Sequence, residues 1–259
     1  MEFIVCEVKD KVGWLTLNNP AKRNSLNPQL IAELISTLDR LKGEKVPVVV
    51  LRAQKGSKVW SAGYDINVIH KDQHDPLGYD SPMEQVLRAI QHYPGPIIAM
   101  VEGSVWGGAC DMAVTCDMII GAPSCSFAIT PVKIGLPYNA SGIMHFINRV
   151  GLNIAKEMFF SARSIESKRA LEVGLLNHLV PEDKLEAFTA GIADQIASFS
   201  TLSISVIKEQ FRILSNAHPI NPDGFERIQG LRRRVYNSHD YHEGVQAFLE
   251  KRKPQFKGE

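Results

Sequence analysis

"GPIIAMVEGSVWGGACDMAVTC" runs from Gly95 to Cys116. Its first part is a continuous apolar run, as expected of a strand buried on both faces. Its last part, "VWGGACDMAVTC", opens a helix, and between them lies a turn of small residues. Gly107 and Gly108 stand just before that helix, whose first-turn N–H groups have no acceptors inside it. Strand, glycine turn, helix is therefore the unit, and the chain repeats it. Upstream, "VPVVVLRA" (Val46–Ala53) is another apolar run, followed by "WSAGYDI" (Trp60–Ile66) and a helical stretch, "SPMEQVLRAIQHY". Downstream, "DMIIGA" and "CSFAI" read as short strands. This alternation predicts an α/β fold with a mainly parallel sheet.

Further out, "FIVCEVKD" and "VGWLTLNN" predict an N-terminal hairpin turning at Asp10–Gly13. "PQLIAELISTLDRLKG" places Leu30, Ile31, Leu34, Leu38 and Leu41 at helical spacing. A polar stretch from Asn67 to Ser81, holding His70 and His74, reads as a loop with solvated histidines. From about Asn153 the pattern turns helical. We divide the chain into a core, 1–195, and a C-terminal helical trimerisation region, 196–259.

The 259 residues are 44% hydrophobic and 22% charged, with a net charge of +1. That balance lacks the cationic excess expected of non-specific nucleic-acid binding. Cys6, Cys110, Cys116 and Cys125 form no C-x-x-C pair and read as free thiols. No metal site is expected. No segment has the apolar length of a membrane span, and "MEFIVCEVKD" lacks a leader's apolar core. The expectation is a soluble cytoplasmic protein with no membrane or nucleic-acid partner.

The two glycine turns carry the candidate chemistry. Gly63 would let backbone approach closely after one buried strand, and Gly107–Gly108 would do so after another. Together two such turns can aim two N–H groups at one oxygen that becomes negative. Tight packing alone also accounts for glycines at either turn. Asp111 could be a catalyst or a bystander.

"NNPAKRNSLN", "SAGYDI", "VEGSVWGGACDM", "CDMIIGA" and "RALEVGLLNHLVP" resemble, in content and order, the crotonase (enoyl-CoA hydratase/isomerase) superfamily. The resemblance implies a crotonase-like (ClpP/crotonase) spiral of ββα units with a helical C-terminal region, assembled as a homotrimer or homohexamer. It implies an acyl-CoA substrate, with coenzyme A as part of that substrate and no separate cofactor. The thioester oxygen would sit between the N–H groups of Tyr64 and Gly108. The two glutamates of the family's hydratases fall on Asp111 and Pro131. Proline carries no proton, so a hydration mechanism lacks one partner. "TPVKIGLPYN", "DGFERIQGLRR" and "AFLEKRKPQF" resemble decarboxylases within the superfamily. There Tyr138 would donate a hydrogen bond to the substrate carboxylate. Those relatives carry histidine where this chain has Tyr64, a change that keeps the backbone N–H. The CoA end would meet Lys22, Arg23, Ala62, Asp65, Ile66, Phe248 and Lys251, with Pro131 near the acyl group.

The expected reaction is decarboxylation of a short malonyl-type acyl-CoA, methylmalonyl-CoA to propionyl-CoA, through an enolate held by backbone N–H groups. The alternatives are an enoyl-CoA hydratase or isomerase using Asp111, and a non-catalytic binding protein that keeps the fold.

Overall fold

A computed structural model describes residues 2–69, 75–217 and 221–259. His70 and His74 lie outside the described residues. The chain opens with β1 (Ile4–Lys9) and β2 (Val12–Leu17), then α1 (Pro28–Gly43). Three turns of a spiral follow. The first is β3 (Val48–Ala53), β4 (Val59–Ser61), α2 (Ile66–Ile69) and α3 (Pro82–His92). The second is β5 (Ile97–Val101), β6 (Ser104–Trp106) and α4 (Gly108–Thr115). The third is β7 (Met118–Gly121), β8 (Ser126–Ala128) and α5 (Ala140–Ser161). Then come β9 (Ile165–Glu166), α6 (Ser167–Glu172), β10 (His178–Leu179), α7 (Glu182–Ala197), α8 (Thr201–Ser215), α9 (Pro222–Tyr236) and α10 (His239–Leu249).

Each turn of the spiral gives one strand to each of two sheets. The larger sheet has the order β1-β2-β3-β5-β7-β10 and the smaller β4-β6-β8-β9. Only β1–β2 and β8–β9 pair antiparallel among the described residues. The apolar run of β3 is explained by cover on both faces. Val49 and Leu51 point into the main core with α1 and α3, while Val48 and Val50 face Leu185 and Ala193 of α7. Burying such side chains contributes about 1.5–3 kcal/mol each.

The glycine turns sit where the chain leaves the smaller sheet for a helix, Gly63 after β4 and Gly107–Gly108 after β6. Trp60 anchors the first of them. It is fully buried, and its Nε1 donates to the Met100 carbonyl at 2.9 Å. Asn24 donates to the Trp60 carbonyl, and Ser61 Oγ donates to the Asn24 carbonyl. Leu26 then bridges to Tyr64 as a one-residue parallel pair, with its N–H on the Gly63 carbonyl. The "SAGYDI" segment is thus clamped on both sides before α2 begins.

The helical tail folds back rather than trailing away. Gly244 of α10 lies so close to the 3-10 turn Pro131–Ile134 that a Cβ there would stand 2.4 Å from the Ile134 carbonyl. On α9, Tyr236 Oη donates to Asp75 at 2.8 Å and lies 3.3 Å from the Pro137 carbonyl, beside the residue before Tyr138. The helical region also begins earlier than its periodicity suggested, at Ala140. Asn139 caps α5 by accepting from the Gly142 N–H. Gly151, with φ 75 and ψ 163, breaks α5 just where the sequence pattern was legible again.

Candidate active site

The two glycine turns abut. A Cβ on Gly63, whose φ is +89, would lie 2.5 Å from the Trp106 carbonyl oxygen and 3.3 Å from the Gly108 nitrogen. A Cβ on Gly108 would lie 3.4 Å from the Tyr64 nitrogen. A side chain at 63 would strike backbone, one at 108 would press on Tyr64 and Met83, and the Tyr64 and Gly108 N–H groups are brought to one place. Gly107 completes the turn with φ 51 and ψ −124, a conformation that only glycine adopts readily, and its N–H is spent on the Ala128 carbonyl. Gly108 is the first residue of α4, so its N–H has no acceptor within the helix, and the positive end of the helix lies there too.

A cavity of about 320 Å³ opens against these turns, within the range of small-molecule sites. Ala62, Tyr64, Ile66, Gly108, Pro131, Tyr138 and Phe248 line it, all of them expected from the sequence. Met83, Ile134 and Leu136 make its wall largely apolar. Among the described lining residues there is no aspartate or glutamate.

Asp111 stands behind that wall. It is 1% exposed, on α4, and the Tyr138 hydroxyl donates to its Oδ2 at 2.7 Å. The hydroxyl has one proton, and Asp111 takes it, which leaves only oxygen lone pairs for any other partner. The sequence had placed that proton on a substrate carboxylate; in the structure a protein carboxylate competes for it. Burial, reinforced by the Asp111 charge, pushes the Tyr138 hydroxyl well above its ordinary pKa of 10, so it remains protonated at neutral pH. Gly142 makes room for this contact. A Cβ there would meet Tyr138 Cε1 at 2.2 Å and Asp111 Oδ2 at 2.8 Å.

On the far side of Asp111 is His145, which sequence reasoning passed over. Its Nδ1 pairs with Asp111 Oδ1 at 2.8 Å, and its Nε2 faces Gln91 Nε2 at 2.9 Å. Burial pulls the imidazole pKa down, but the Asp111 charge and hydrogen bond outweigh it, and the net direction is up from 6.5. No sequence signal marked it, because Tyr138 precedes α5 and Asp111, the group that joins the two residues, lies on α4. Glu84, also passed over, is a buried carboxylate held by Asn139 Nδ2 at 2.6 Å and Ser141 Oγ at 3.0 Å.

The expected CoA contacts divide. Ala62, Ile66 and Phe248 line the cavity, and Phe248 does so from the same chain. Lys22, Arg23, Asp65 and Lys251 are not among the lining residues. Asp65 turns its carboxylate back on Asn67, accepting from both its backbone and side-chain nitrogens. Arg23 serves through its backbone carbonyl, which accepts the Ala62 N–H at 2.9 Å. The cations that do line the cavity are Lys133 and Arg252, each in a stretch already singled out. Arg252 is bonded to Glu243 and Glu250.

Two abutting backbone donors over an apolar cavity are what the crotonase fold offers, and the family's sequence profile, enoyl-CoA hydratase/isomerase, matches residues 7–259. The chain belongs to the enoyl-CoA hydratase/isomerase family. Within the family it is 48% identical to methylmalonyl-CoA decarboxylase of Escherichia coli (strain K12), across 96% of this chain and 95% of that one. It is 29% identical to 2,3-dehydroadipyl-CoA hydratase of the same organism, across 100% of both. A solved methylmalonyl-CoA decarboxylase in complex with 2-nitronate-propionyl-CoA superposes with a TM-score of 0.97 at 47% identity, covering 99% of each chain. One complexed with 2S-carboxypropyl CoA gives 0.97 at 46%, covering 100% of this chain and 99% of that one. The crotonase-like fold is therefore established for the chain. Among the described residues no three His, Cys, Asp or Glu side chains converge as metal ligands.

Proposed function

We propose that the protein is an acyl-CoA lyase that decarboxylates methylmalonyl-CoA to propionyl-CoA. The absence of any described carboxylate from the cavity wall carries this reading. Adding water across a double bond needs acid and base groups that reach the substrate. Here the second acid position is Pro131, and Asp111 is screened by Tyr138. A malonyl carboxylate, by contrast, would meet no negative side chain in such a wall. The similarity to methylmalonyl-CoA decarboxylase supports the same substrate.

In this reading the thioester oxygen accepts from the Tyr64 and Gly108 N–H groups. The substrate carboxylate lies toward Tyr138, with its C–C bond perpendicular to the thioester plane. That bond breaks, CO2 leaves, and its electron pair becomes an enolate whose charge rests on the thioester oxygen; a proton from water then adds to the α-carbon and gives propionyl-CoA. Backbone donors fixed in place strengthen as that charge grows, which favours the transition state over the ground state. A neutral hydroxyl orients the carboxylate without stabilising it as a lysine would. Lys133 and Arg252 are suited to CoA phosphates. We further propose that the chain acts as a homotrimer or homohexamer and needs no cofactor beyond the CoA of its substrate.

Incubation with methylmalonyl-CoA beside crotonyl-CoA tests the reaction. CO2 release without hydration is expected, and rapid hydration without CO2 would sink the reading. Tyr138→Phe should lower kcat by roughly tenfold to a hundredfold, the scale of a misplaced reacting group. Unchanged decarboxylation would remove the tyrosine hydroxyl from the mechanism.

A further inference from the structure

Tyr138, Asp111 and His145 form a chain that runs from the cavity wall through a buried carboxylate to a second, partly exposed side chain. Tyr138 precedes α5, Asp111 is on α4, and His145 is on α5, so two hydrogen bonds tie the helices into one unit. His145 is 14% exposed and borders two clefts, neither of which is lined by Tyr138 or Asp111. It can therefore exchange a proton with solvent while its partner cannot. Asp111 holds both neighbours at once, Oδ2 toward the Tyr138 hydroxyl and Oδ1 toward the imidazole.

We propose that His145 is a positioning residue that decides, through Asp111, whether the Tyr138 hydroxyl proton stays on Asp111 or turns toward the substrate carboxylate. The inference rests on the decarboxylase reading. A neutral imidazole gives the Asp111 carboxylate one N–H and no charge, and the carboxylate keeps its hold on the hydroxyl. A cationic imidazole adds a full positive charge at the same 2.8 Å distance and offsets the carboxylate's own, so Asp111 competes less for the phenolic proton. The one bond formed in the switch is Nε2–H, with its proton taken from solvent, while the phenolic O–H only rotates. The Gln91 amide suits both forms, donating from Nε2 to the neutral ring or, turned over, accepting on Oε1 from the cation.

The surroundings leave Asp111 as the charged partner in contact. Glu84 of α3 is the other acid that acts on the imidazole, at longer range. Arg88 and His92 of α3 border one of the two clefts, Arg88 lying over the Tyr79 ring and His92 on the Arg88 carbonyl. Arg149 of α5 is bonded to carbonyls at the end of α4. On α8, Lys208 pairs with Asp117 and Arg212 with Glu209. Arg232 of α9 pairs with Asp75. Thr115 Oγ1 lies 3.3 Å from Nδ1.

The test compares the full-length protein with His145→Asn and His145→Leu, measuring kcat and KM for methylmalonyl-CoA across pH 5.5–9. The range brackets the ordinary imidazole pKa of about 6.5. Asparagine keeps an N–H where Nδ1 stands but cannot titrate. The unaltered protein should lose activity as the imidazole deprotonates, by about tenfold, which is about 1.4 kcal/mol of barrier. That falling limb should vanish in His145→Asn, and His145→Leu should show low kcat at every pH with KM little changed. A limb retained in His145→Asn, or full kcat in His145→Leu, overturns the proposal. NMR of the imidazole separates this from failure of the reaction itself. If no CO2 is released by the unaltered protein, the decarboxylase reading fails. Independently, a His145 titration that does not shift in Asp111→Asn or Tyr138→Phe shows that the three groups are uncoupled and overturns the inference.

Discussion

Gly142 has no room for a methyl group, and two of the three obstacles are the groups that matter most. Tyr138 Cε1, Asn139 Oδ1 and Asp111 Oδ2 would all lie within 2.8 Å of its Cβ. Gly142→Ala must push the tyrosine ring away or tilt the start of α5. Overpacking of this kind costs about 1–3 kcal/mol. We expect a lower urea midpoint, unchanged far-UV circular dichroism and a loss of kcat at least as large as that of Tyr138→Phe. Full activity would mean that the ring position is not decisive. The buried pair next to it has a signed pH dependence. His145 has a folded-state pKa raised above 6.5, so the pair's contribution is complete below that value and fades as pH rises through the folded pKa. The stability gap between the unaltered protein and His145→Leu should accordingly narrow on the alkaline side, as read from urea midpoints at a series of pH values. At this scale the sequence was legible where backbone dictates geometry, as at Gly63 and Gly108. It was not legible at His145, because a lone histidine on a helix says nothing until a partner from another helix is placed against it.

Helix α4 is the element on which the site turns, and its composition leaves both of its ends in need of help. Ala109, Cys110, Met112, Ala113 and Val114 are buried, so it is apolar nearly all round. Its N-terminus faces the cavity. Its C-terminus ends inside the protein, where Arg149 of α5 donates to the carbonyls of Val114, Cys116 and Asp117. Arg149→Met would keep much of the volume and leave those carbonyls without donors. Unmet buried acceptors cost about 1–3 kcal/mol each. For a chain of this size a loss of about 3 kcal/mol corresponds to a Tm lower by roughly 6–12 °C, measurable by calorimetry. A shift under a degree would mean that solvent replaces the guanidinium. The strands β3, β5 and β7 were legible as apolar runs. The two-residue strands β9 and β10 were not, since a pattern of period two needs more residues than they have.

Across the whole molecule, the C-terminal helices do two things that their amphipathic spacing did not separate. α9 and α10 close over the site of their own chain, through Tyr236 and Phe248. α8 does the opposite, since none of its residues is buried. Its apolar side chains fall in two stripes, Leu202, Val206 and Ile213 on one and Ile207, Phe211 and Leu214 on the other, all exposed. The remaining side holds it to the chain, where Lys208 donates to the Ile90 and Gly95 carbonyls and pairs with Asp117. An apolar surface of this extent is unusual on a protein that works as a monomer. Two stripes on one helix suit contact with two neighbours, as in a closed ring of three. We expect sedimentation equilibrium to give a mass of three or six chains at micromolar concentration. Leu202→Asp with Phe211→Asp, one charge in each stripe, should give a single chain with unchanged far-UV circular dichroism, because the tether through Lys208 is untouched. A single chain for the unaltered protein would leave α8 as an exposed apolar helix and remove self-assembly as its explanation. Activity retained in the dissociated variant would locate every group the reaction needs within one chain, which is the arrangement that Phe248 lining its own cavity implies.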